Sequence, residues 1–247
     1  MKYFQLIAIS LLFINISLSS QNLNDIIPDT IKEGYFETSL GKMTISGNFN
    51  NYQKDGNWIT FLPSGQIHIF EQYSQGKKNG IYIQINNRGY IIEQSNYKND
   101  KYHGNRTLFN LGGRLQLEEN YKMGILDGPR KVYYENGKIQ EESDYINGIK
   151  TGKSVWYNSN TNVIAVYKYI KGEFQGIQET FYSDGKKKSI QTFKDNISNG
   201  EYKEYYPNGD IRISGNYFSG SKNGEWISYD EVGNIIKTEK FKKRKSK

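Results

Sequence analysis

Glycine recurs in this chain at positions 56, 80, 104, 128, 152, 176, 200 and 224, a step of 24 residues with no insertion or deletion. A constant period of this length specifies a stack of one supersecondary unit, because a unit so small buries its apolar side chains only against its neighbours. Other positions hold the same phase. Five residues after each glycine stands Phe61, Ile85, Phe109, Tyr133, Tyr157, Phe181, Tyr205 or Tyr229. Seventeen after stands Tyr73, Tyr97, Tyr121, Tyr145, Tyr169, Phe193, Tyr217 or Phe241. Nine after stands glycine in every unit but one, where Thr161 replaces it.

Within a unit the pattern is that of a β-hairpin. The last copy places a strand at Glu225–Tyr229, a turn at Asp230–Gly233 and a second strand at Asn234–Phe241. Asn-Gly and Asp-Gly turns occur at equivalent points, and their glycine enters a left-handed conformation without steric cost. The stretch from the second strand to the next repeat glycine, such as Ser74–Gly80, reads as a return loop. A lone hairpin is unstable in water, so stacking is required. The rows at five and seventeen residues after the glycine are expected to form two aromatic ladders and most of the core. No stretch sustains a 3.6-residue period. The expected fold is all-β: an elongated single-sheet solenoid of tandem hairpins. A degenerate unit with Gly41, Met43 and Phe49 starts near Gly34 and reads as a cap.

Residues 1–20 show a basic start at Lys2, an apolar run from Leu6 to Leu18 and the small residues Ser19 and Ser20. That is the three-part pattern of a cleavable export signal. The chain therefore divides into a signal over 1–20, a linker over 21–33, the repeat array over 34–241 and a basic tail over 242–247. The mature protein is expected to be secreted or periplasmic. The net charge of +7 is confined to the ends: Lys2 and six Lys or Arg among the last eight residues account for it, and the rest balances at 26 against 26. The body offers no basic field to nucleic acid. With no cysteine there is no disulfide, thiolate metal site or thiol nucleophile.

The segment Gly215-Asn-Tyr217-Phe-Ser-Gly220-Ser-Lys-Asn-Gly224 resembles a MORN repeat, and Tyr145–Gly152 and Tyr73–Gly80 repeat its second half. A glycine usual in that family two residues after the last one is replaced here by Trp58, Tyr82, Arg106, Arg130, Ser154, Gln178, Tyr202 and Trp226. With the longer period, this is similar to the bacterial variant of proteins resembling the YwqK-type antitoxins. The resemblance implies an elongated β-sheet array in protein or lipid contact, without catalysis.

Chemistry-bearing residues are sparse. His68 and His103 are read as an exposed strand residue and a solvated loop residue. Two histidines without cysteine make no zinc set. The carboxylate pairs Glu118-Glu119 and Glu141-Glu142 read as a solvated strand face. No catalytic, cofactor-binding or metal-binding residue is assigned. By strand parity Trp58, Tyr82, Tyr202 and Trp226 lie opposite the row five residues after the glycine, and are the candidates for surface binding. The expected role is a non-enzymatic scaffold for an unknown protein partner, with antitoxin-like neutralisation or presentation. The alternative is a glycan-, envelope- or lipid-binding module using those four aromatics, in contact with polysaccharide or anionic lipid.

Overall fold

The computed structural model describes residues 30–244, so the signal, most of the linker and the last three residues of the basic tail lie outside it. The described residues form twenty antiparallel strands in a single sheet, from Glu33–Leu40 to Ile235–Phe241, and contain no helix. Strands pair with their chain neighbours. Two short strands, Ile125–Leu126 and Glu173–Phe174, are the leading ends of interrupted strands that resume at Gly128 and Gly176.

The two long edges of the sheet carry different turns. On one edge the turn has three residues: in Leu62–Gln66 the Gly65 N–H donates to Leu62 O at 2.9 Å and the Leu62 N–H to Gln66 O at 2.8 Å. Gly65 sits at φ 80°, and Thr161 holds the same role at φ 73°. On the other edge the expected return loop is itself a two-residue turn. Gln75 and Gly76 are both left-handed, at φ 50° and 75°, and so are Asn99–Asp100, Asn147–Gly148 and their equivalents. Such paired positive φ angles match the right-handed twist of the flanking strands. The strand that was expected to begin after Gly80 therefore begins at Lys77.

The first full copy also contains two register shifts, between Thr60 and Phe61 and between Glu71 and Tyr73, and the first of them recurs in every later unit. Bulges bend a strand and redirect its side chains. The face bearing Trp58, here the front, is the more buried. The N-terminal cap closes it with Ile45, Phe49 and Trp58, against which Ile31, Phe36, Leu40 and Tyr73 pack.

Adjacent units are tied at both edges. Tyr134, Tyr182 and Tyr206 hydroxyls donate to the carbonyls of Tyr157, Tyr205 and Tyr229 at 2.6–2.8 Å. At the other edge the Gly76, Gly124 and Gly148 amides donate to carbonyls of Lys54, Tyr102 and Leu126. These bonds satisfy turn amides that would otherwise face water.

Candidate interaction face

The front face is organised by one cross-strand row through the middle of the sheet. Trp58, Glu71, Tyr82, Ser95, Arg106 and Glu119 are partners in turn. Gln178, Gln191, Tyr202 and Gly215 continue it further on. The residues two after each repeat glycine are thus the centre of the sheet.

This corrects their expected exposure. Trp58 is 2% exposed and Trp226 4%, while Tyr82 and Tyr202 are half-buried. Each tryptophan lies over a glycine of the adjoining strand, Gly47 or Gly215, where a Cβ would overlap the indole ring. Each indole N–H donates at 3.1 Å to a backbone carbonyl, of Asn48 or Asn216. Each ring is covered by an ammonium, Lys54 at 4.3 Å or Lys222 at 4.4 Å from its centroid. Burial lowers the Lys54 pKa, partly offset by Glu71. The glycine vacancy sinks the ring, and the lysine stem closes over it.

The two expected ladders also separate. The row seventeen after the glycine lies on the front, interleaved with the tryptophans and tyrosines: Tyr97 and Tyr102 centroids are 4.7 Å apart, Tyr217 and Trp226 4.9 Å. The row five after it, half-buried like the other, lies on the back, where its Tyr133 and Tyr157 donate to Glu118 and Glu142. The extra residue of the bulge lies on the partner strand, at His68, so the rows two and five after the glycine stay on opposite faces, and only the expectation of which face is covered is reversed.

The carboxylate pairs behave differently from expectation. Glu118 and Glu142 hold equivalent places, fourteen after their glycines, so Glu119 and Glu141 are out of phase. Glu119 and Glu141 are buried, 8% and 5% exposed. They are held in a ladder of alternating charge. Arg106 Nε lies 2.9 Å from Glu93 and its Nη1 3.3 Å from Glu119. Arg130 Nε lies 3.2 Å from Glu119 and its Nη1 3.3 Å from Glu141. Lys150 closes the ladder on Glu141. Three acids meet three bases, with Tyr102 and Tyr121 hydroxyls donating to Glu93 and Glu119 at 3.0 and 2.9 Å. For Arg106, burial disfavours the charge, yet the bonds and charge of Glu93 raise its pKa. Tyr121 is pushed up to about 12, first by burial and then by Glu119.

Each of these carboxylates is already engaged by a base of the ladder. Among the described residues no group of three or more His, Asp or Glu side chains is arranged to hold a metal ion. His68 is half-buried, its Nδ1 2.6 Å from the Ile85 carbonyl oxygen. His103 is half-buried too, and its Nδ1 accepts the Met123 turn amide at 3.4 Å, as Asp55, Asp127 and Gln175 side chains do for other turns. The ladder and the two glycines escaped the sequence reading, although the row Trp, Tyr, Arg, Arg, Ser, Gln, Tyr, Trp pointed to a centre unlike its ends.

The profile of the MORN repeat variant matches residues 126–147, 174–195 and 198–218. The three matches share the 24-residue phase, and the unmatched unit between the first two contains Thr161 in place of the turn glycine. No curated protein matches the chain. MORN repeats are non-catalytic modules of interaction and binding.

Proposed function

We propose that this protein is an exported scaffold that holds a protein partner along its front face. The observation that carries this reading is the composition of that face. Tyrosine, tryptophan and arginine, the residue types that dominate binding energy at interfaces, line the central row and its neighbours, and their charges are internally neutralised. Trp58 and Trp226 are platforms rather than contacts. Tyr82 and Tyr202, half-buried above them in the row, are the proposed contact residues. Antitoxin-like neutralisation fits such a face, because a broad rigid surface masks a partner without altering it chemically.

A second reading is supported by a shallow depression of about 240 Å³ between Tyr202, Tyr217, Lys222, Trp226 and Glu239. Aromatic rings beside one acid and one base suit a sugar face, which points to an envelope polysaccharide. Anionic lipid is the other partner this reading admits.

The test is capture from the native envelope fraction by residues 21–247, run beside Tyr82→Ser and Tyr202→Ser. One protein enriched by the parent chain and lost with both variants supports the scaffold. Enriched polysaccharide or lipid, lost with Tyr202→Ser alone, selects the second reading. Capture that ignores both substitutions sinks both.

A further inference from the structure

The edge with two-residue turns carries a patch that the front-face reading does not use. Three consecutive turn tips, Lys122–Ile125, Ile146–Ile149 and Ile170–Glu173, expose apolar side chains. Ile125 is 49% exposed, Ile146 58%, Ile149 48% and Ile170 49%. The tips form one continuous ridge: Ile125 lies against Gly148, and Ile149 against Gly172. Such a row of exposed isoleucines, beyond singly scattered ones, marks a contact surface.

The order of residues along this ridge is self-complementary. Reversed about the middle tip, Ile146 falls on Ile149, Ile125 on Ile170, and Lys122 on Glu173. We infer that this ridge joins two copies of the chain, turn tip to turn tip, about a two-fold axis at Asn147–Gly148. Each isoleucine then meets an isoleucine, and each end carries a Lys122–Glu173 pair between copies. An isologous interface has this property by necessity: if one residue meets another, the reverse contact follows. The alternative two-fold, which keeps the order of the tips, would set Lys122 against Lys122.

A bilayer is the less suitable occupant. The three tips carry Lys122 and Lys171 against Glu173, too little positive charge to hold an anionic surface. The next tip, Lys194–Ile197, exposes Ile197 as well, 51%, but the reversal sets Ile197 on Lys98 and Lys194 on Lys101, so the isoleucine pairing is confined to the three central tips. An interface this small falls below the usual ~1,200 Å² of stable complexes, so its dissociation constant is expected to be on the order of 100 µM. This inference is independent of the front-face reading.

Sedimentation equilibrium of residues 21–247 from about 10 µM to 1 mM tests it. A monomer–dimer equilibrium is expected. Lys122→Glu and Glu173→Lys should each weaken the dimer about tenfold, because two symmetry-related pairs turn from attraction to repulsion. The double variant K122E/E173K should restore it. Ile149→Asp should leave only monomer, with the far-UV circular dichroism of each variant unchanged. A parent chain that stays monomeric, a double variant no better than either single one, or recovery of the ridge on anionic vesicles would overturn the proposal.

Discussion

At the level of single residues the two glycine–tryptophan pairs decide most. Gly47 and Gly215 have ordinary extended φ angles, so the demand for glycine there is spatial and not conformational. Gly215→Ala should force the Trp226 ring from beneath Lys222 and cost about 1–3 kcal/mol, the range for overpacking. Gly47→Ala should do the same at the cap, and Trp58→Ala should cost about 3–5 kcal/mol. Urea midpoints measure all three, and an unshifted midpoint for Gly215→Ala would refute the packing argument. The tyrosines set a pH limit. Tyr121, Tyr157 and Tyr169 are each raised to about 12, by burial first and then by nearby glutamates. Their ordinary value is about 10. The unfolded chain therefore loses these protons before the folded one, so stability is full below pH 10 and falls as pH rises towards 12. Urea midpoints from pH 9 to 12 should decline in step with the tyrosinate absorbance of the unfolded state.

At the level of elements the sequence states the period, the hairpin and the turn residues, because each depends on local conformation. The two-residue turns show its reach and its limit: Asp100 and Asn196 stand where the glycines of other units stand and are left-handed, as residue types that tolerate positive φ, but the left-handed Asn99 and Asp195 before them carried no such signal. Asp100 and Asn196 side chains accept amides from the preceding unit, at 2.8 and 2.6 Å, which a glycine cannot do. Which face is buried was not legible, because alternation separates the row of Trp58 from the row of Phe61 without saying which of two aromatic rows is covered, and the glycines that admit the tryptophans lie on the adjoining strand. The charged ladder was hidden by register. Its members come from different units and become neighbours only once the register is known. Arg130 bridges Glu119 and Glu141, so Arg130→Met should leave two buried carboxylates short of a partner and cost about 3–5 kcal/mol. Adding Glu119→Gln and Glu141→Gln should recover most of that loss. If the triple variant were no more stable than Arg130→Met, packing of the arginine stem, and not its charge, would be the cause.

At the level of the whole molecule the array behaves as a line of units, each coupled to its neighbours alone. Stability should then depend on which junction a deletion creates. Removing residues 177–200 takes out one full period and brings Tyr167 beside Tyr202 in the central row, a neutral junction between side chains that already lie on the front. This variant should keep a cooperative transition and the far-UV spectrum of the parent per residue. Removing residues 129–152 is also one full period, but it takes Arg130, Glu141 and Lys150 out of the ladder and leaves Glu119 with Arg106 alone. The new neighbour of Glu119 in the row is Ser154, which supplies a hydroxyl where a guanidinium stood. This deletion should therefore be the less stable of the two, and its deficit should shrink when Glu119→Gln is added. A deletion of half a period, residues 177–188, sets unlike turns against each other and should abolish cooperative folding. Equal urea midpoints for the two full-period deletions would mean that the ladder contributes nothing beyond its packing. A cooperative half-period deletion would mean that the register is not what holds the sheet together.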